Sequence, residues 1–200
     1  LNISSDTMRV TDDILAGHTT TGTVTSSLIV DVDSNLAFTW SNIAASLIET
    51  LNFTGGTTYT QTLTNVDAIT LASGVSVDIS SATIGTSTTS VTGADGSESL
   101  TMNSSFLHTV VSVDLGASSD TLSVTGTTAL NKGDFEKIHN VETLDLSNYT
   151  GIADLTGTSG ITQLNIGAGV NSAIIDYNDL SVGSGSISTL TGSGSVEING

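Results

Sequence analysis

Glu98-Ser99-Leu100-Thr101-Met102, Asp120-Thr121-Leu122-Ser123-Val124 and Glu142-Thr143-Leu144-Asp145-Leu146 state one phrase three times: acid, hydroxyl, apolar, any residue, apolar. The copies begin 22 residues apart, at 98, 120 and 142. Earlier copies stand at Asp6-Thr7-Met8-Arg9-Val10 and Glu49-Thr50-Leu51-Asn52-Phe53, with a looser one at Asp67-Ala68-Ile69-Thr70-Leu71. A repeat at a fixed period of this size is the signature of one structural unit stacked on itself. In each copy the apolar residues are two apart, so they share one face of a strand. The ladder Leu100/Met102, Leu122/Val124, Leu144/Leu146 continues at Leu164/Ile166, 20 residues on, and Leu51/Phe53 and Ile69/Leu71 form a pair 18 apart. The expected fold is therefore all-β: a parallel β-solenoid, β-helix or β-roll-like, with rungs of about 18–22 residues. A β-sandwich with evenly spaced strands is the competing reading.

Composition agrees. Ser and Thr fill 64 of 200 positions, Gly 21, and the 37% hydrophobic share is aliphatic, with only 4% aromatic. Thr, Val and Ile suit a pleated, half-buried surface. With no proline, Gly, Asn and Asp must supply the unusual backbone angles of the turns. Between the rungs lie further alternating runs, Val75-Ser76-Val77-Asp78-Ile79 and Val111-Ser112-Val113-Asp114-Leu115, expected to form another wall. Asn42–Glu49 and Gly133–Asn140 interrupt the β pattern and read as short helical excursions or irregular corners, each running into a copy of the phrase. Residues 178–200 read as further rungs, and 1–200 as a single β-rich repeat domain.

Charge restricts the partners. Twenty acids stand against Arg9, Lys132 and Lys137, a net charge of −17. Binding to nucleic acid rests on Lys and Arg, as does binding to anionic lipid headgroups, so both are excluded as expectations. No apolar run reaches the roughly 18 residues of a membrane span, so direct membrane insertion is not expected either. Divalent cations are the natural counter-partner, with halophilic adaptation as the competing explanation of the acidity. There is no cysteine, hence no disulfide staple. The chain begins at Leu1 without an initiator Met or leader-like segment, and reads as an excerpt of a longer surface protein.

Gly93-Ala94-Asp95-Gly96-Ser97-Glu98-Ser99-Leu100 resembles the calcium-binding nonapeptide GGxGxDxUx of RTX proteins, with Ala for the second Gly and Glu for the Asp. Gly116-Ala117-Ser118-Ser119-Asp120-Thr121-Leu122 is a more decayed version. Asn140-Val141-Glu142-Thr143-Leu144-Asp145-Leu146-Ser147 is similar to segments of large RTX-type adhesins and bacterial S-layer proteins. The resemblance implies a type I-secreted, calcium-dependent protein of the bacterial cell surface. True nonapeptides repeat every nine residues and share each ion between neighbouring turns; here the period is about twice that. Asp95, Glu98, Asp114 and Asp120 are the candidate calcium ligands, because they lie at turns beside strand starts. Turn formation is their alternative role, since Asp commonly hydrogen-bonds its own backbone there.

No catalytic constellation emerges, and the chain is not expected to be an enzyme. His18, His108 and His139 are far apart and lack HExxH spacing, and no G-x-S-x-G elbow is present. A carbohydrate-active solenoid would need more basic and aromatic residues than three and eight. Trp40 beside Phe38 is expected in the core. Thr-rich stretches, as at Thr57–Thr62 and Thr86–Thr89, raise ice binding as a minor alternative. The expected role is structural: an extracellular segment that self-associates into, or extends, a calcium-stabilised S-layer lattice. An adhesin module recognising a surface glycan or protein is the alternative.

Overall fold

The computed structural model describes residues 2–3, 28–32, 48–59, 62–63, 66–84, 89–156, 158–170, 172–176, 189–194 and 196–199. The phrase copy at 6–10, His18, Phe38, Trp40, the expected excursion at 42–47, Thr86–Thr88 and residues 178–188 of the expected further rungs lie outside the described residues.

Alternation of small polar and aliphatic residues produces short strands, and each strand finds its partner one coil away. The first wall of the resulting solenoid is a seven-stranded sheet of β1 (Asn2–Ile3), β2 (Leu28–Val32), β3 (Ile48–Phe53), β6 (Ala68–Leu71), β9 (Ser90–Thr92), β11 (Ser112–Asp114) and β13 (Ile138–His139). The second wall, also seven-stranded, holds β4 (Thr57–Thr58), β7 (Ser76–Asp78), β10 (Ser99–Asn103), β12 (Thr121–Thr125), β14 (Thr143–Leu146), β16 (Gln163–Ile166) and β18 (Thr189–Gly192). A third side carries the pair β5 (Thr62–Leu63) and β8 (Thr83–Ile84), and further along β15 (Ile152–Asp154), β17 (Ser172–Asp176) and β19 (Val196–Asn199). In two intervening coils that side is occupied by the helices α1 (Ser104–Thr109) and α2 (Lys132–Phe135).

Every described strand pair is parallel. That is the geometry of stacked coils, and it rules out the antiparallel sandwich. The ladder read from the sequence is in register: Leu100 faces Leu122, Leu122 faces Leu144, and Leu144 faces Leu164. The steps run wider than expected, from 18 residues between Leu51 and Ile69 through 26 between Leu164 and Leu190 to 29 between Ile3 and Val32. Longer coils keep the register of the second wall, whose pairings show no shift from β10 to β18.

One expectation changes in detail. The copies at 49–53 and 67–71 lie on the first wall, in β3 and β6, whereas those starting at 98, 120 and 142 lie on the second. Val77 belongs to the ladder under Leu100, and Val113 stacks on Val91 of the first wall. Both walls need two inward apolar residues per strand, so the same short phrase serves either. The first-wall copy also differs at its acid. The register shifts between Leu28 and Ile29, leaving Glu49 as the extra residue of a bulge.

The inward residues form one core. Leu51, Phe53, Ile69, Val91, Leu100, Met102, Val113, Leu122, Val124, Leu144 and Leu146 are all fully buried. Removing each Leu or Ile from water contributes on the order of 1.5–3 kcal/mol. Phe53 and Tyr59 meet edge to face at 5.8 Å. With so few aromatics, repetition of small aliphatic rungs replaces bulk.

Candidate functional site

The corner leading from the first wall into the second concentrates the acids that the sequence singled out. The two nonapeptide-like segments occupy this corner in consecutive coils, and the Ser118 hydroxyl donates to the Asp95 carbonyl at 3.2 Å. Close stacking requires glycine. A Cβ on Gly93 would overlap the Leu115 backbone, and one on Gly116, whose φ is +91°, would overlap the Ala94 carbonyl. One coil later Asn140 takes the left-handed conformation, with φ of 51°.

At the end of this corner each acid clasps the coil before it. Gly74 N–H donates to Glu98 Oε1 at 2.7 Å, Glu98 N–H to Asp120 Oδ1 at 2.7 Å, and Asp120 N–H to Glu142 Oε2 at 2.8 Å. In the opposite direction the backbone carbonyls of Glu98 and Asp120 accept from Thr121 and Thr143 N–H, both at 2.9 Å. The acid that opens the phrase therefore links three successive coils: its side chain reaches one neighbour and its carbonyl the other. Charged acceptors of this kind make strong hydrogen bonds.

The clasp leaves two oxygens over. Glu98 and Asp120 are buried, and Glu98 Oε2 and Asp120 Oδ2 have no hydrogen-bond donor. Burial pushes the Asp120 carboxyl above the ordinary carboxylate range. The N–H of Glu98 works against that shift, while the neighbouring Glu98 and Glu142 carboxylates add to it. Glu142, which sequence reasoning left out of the candidate ligands, belongs to the same line. The 22-residue period was the signal for it.

The four candidate ligands thus divide. Glu98 and Asp120 come together. Asp114 serves its turn, accepting from Gly116 N–H at 3.1 Å and from the Asn140 side-chain amide at 2.7 Å. Asp95 is exposed on the turn that precedes Glu98, between β9 and β10. Two orphaned carboxylate oxygens are fewer than the six to eight oxygen ligands that a calcium ion takes. Among the described residues no three Asp, Glu or His side chains converge as a metal cluster.

A second polar cluster joins the two helices. Asp134 is buried, yet its Oδ2 accepts from Asn131 N–H at 2.9 Å and from His108 Nδ1 at 3.0 Å. Its Oδ1 accepts from Lys137 Nζ at 3.2 Å, and Lys137 also donates to the His108 carbonyl at 2.8 Å. Asn131 and Asp134 form a capping box on α2. Burial would raise the Asp134 pKa, but the Asn131, His108 and Lys137 donors outweigh it and hold the carboxyl below its usual range. Sequence reasoning missed this cluster, because 26 residues separate His108 from Asp134 and only stacking brings them together.

Compared with models of known families, with curated proteins and with solved structures, the chain matches none.

Proposed function

We propose that the chain is a structural segment of a secreted bacterial cell-surface protein, one that forms or extends a calcium-stabilised S-layer lattice or adhesin stalk. The observation that carries this reading is the continuous parallel stack, in which each coil is tied to the next through backbone ladders and through the acid clasp at 98, 120 and 142. Such a stack is quasi-one-dimensional, with stability passed from neighbour to neighbour. It suits a part whose work is to extend and to resist bending. The net charge of −17 supports the second half of the reading. Self-repulsion on that scale opposes compaction, and calcium at the acidic corners would relieve it and bridge neighbouring copies.

The test is a calcium titration of the purified chain, with magnesium and sodium at matched ionic strength as controls. An ion bound to the folded form alone and present at 100 times its Kd adds about 2.7 kcal/mol. For a chain of this length that corresponds to a rise in Tm of roughly 5–10 °C. Ordered two-dimensional or filamentous assemblies should form in the electron microscope in the same calcium range. A Tm unmoved by calcium beyond the sodium control refutes the calcium half of the proposal. A chain that stays monomeric at every calcium concentration refutes the assembly half.

A further inference from the structure

The third side of the solenoid changes character between consecutive coils, and the change leaves a groove. One coil carries the strand β8 there, and the next carries α1. A helix with its side chains is about 10–12 Å across, so it cannot stack on a strand at the roughly 4.8 Å spacing of a sheet. On its far side α1 is held against α2 by the His108–Asp134–Lys137 cluster. The misfit is therefore left on the β8 side, as an open groove of about 460 Å³. Ser80, Ser81 and Thr83 line one bank, Ser105 and Thr109 the other, and Phe106 lies between them.

The lining restricts the ligand. Among the described residues no charged side chain contributes to it, and the overall charge of −17 repels anions, so a neutral ligand fits best. The hydroxyls of the helix bank already spend their protons. Ser105 Oγ donates to Asn103 Oδ1 at 2.9 Å, and Thr109 Oγ1 donates to the Phe106 carbonyl at 3.0 Å. They present lone pairs to the groove, and a ligand must supply donors to them. Phe106 is only 5% exposed, and together with Ala82 it gives the groove a small apolar floor for C–H groups. A small molecule with several hydroxyls on an otherwise apolar ring meets all three conditions, and the volume lies within the range of small-ligand sites. We propose that this groove binds one neutral pyranose unit of a glycan. That activity goes beyond the structural role and does not depend on calcium.

The experiment is an NMR titration of the whole chain with methyl glucoside, methyl galactoside, N-acetylglucosamine and, as the anionic counterpart, glucuronate. Saturable shifts confined to residues 80–83 and 103–109, with a Kd of about millimolar, are expected for at least one neutral sugar. Glucuronate should bind about tenfold more weakly. Ser81→Trp, which fills the groove from an exposed position, should abolish the shifts while leaving the Tm unchanged. Ser105→Ala, which removes one acceptor, should weaken binding by about threefold to tenfold. The proposal is overturned if no neutral sugar gives saturable shifts there, if Ser81→Trp binds as the parent does, or if glucuronate binds as tightly as glucose.

Discussion

Asp120 shows how one side chain can support a fold and strain it together. Its Oδ1 holds the Glu98 N–H, while its Oδ2 is buried beside other carboxylates with no donor. Asp120→Asn keeps the acceptor and gives the orphaned side a donor, so it should raise stability at pH 7 by on the order of 1 kcal/mol. Asp120→Ala strands the Glu98 N–H and should cost about 1–3 kcal/mol. Thermal melts of the two variants beside the parent check both. The sign with pH follows from the raised pKa. The proton bound in the folded state contributes stability below 3.8, the ordinary value that the unfolded chain keeps, and that contribution is lost as pH rises through the folded value. Asp120→Asn should therefore flatten the decline on the rising side. The sequence placed this acid at a corner, but which oxygen it gives to which coil depends on stacking that no single copy of the phrase contains.

Among the elements, the two helices behave as one fastened insert. The α2 region was legible as an interruption of the alternation at Gly133–Asn140, read as a short helix or an irregular corner, whereas α2 itself starts one residue earlier, at Lys132, behind its Asn131 cap. α1 was not legible, although Asn103 caps it by accepting from Ser105 N–H at 2.9 Å. It follows β10 without a break, and its apolar pair Phe106-Leu107 is too short to establish a period. Asp134 fastens the insert, and its pH dependence is opposite to that of Asp120. Its pKa is lowered, so its stabilisation is present above the unfolded value of 3.8 and is lost as pH falls through the lower folded value. Asp134→Asn should cost about 1.5–3 kcal/mol at pH 7, the worth of hydrogen bonds to a charged group. It should also make the acid limb of the stability curve shallower. Urea melts at pH 7 and across the acid range separate the two effects. Unchanged stability at pH 7 would show that His108 and Lys137 find equivalent partners without the carboxylate.

At the scale of the whole molecule, the account rests on register. The apolar pairs made the second-wall ladder readable in advance, since a spacing of two within a strand and 22 between strands admits few other arrangements. The sharing of one phrase between two walls was not readable, because inward packing makes the same demand on each. The chain has no cysteine, so engineered pairs report on register without interference. Thr121 and Thr143 face each other across β12 and β14. Parallel neighbours lie about 4.8 Å apart, inside the 4.4–6.8 Å range of Cα separations that disulfides span. Thr121→Cys with Thr143→Cys should oxidise rapidly to an intramolecular disulfide. Thr121→Cys with Asp145→Cys, two residues out of register and so roughly 8 Å apart, should not. Equal oxidation of the two pairs, or faster oxidation of the second, would contradict the stacked, in-register solenoid.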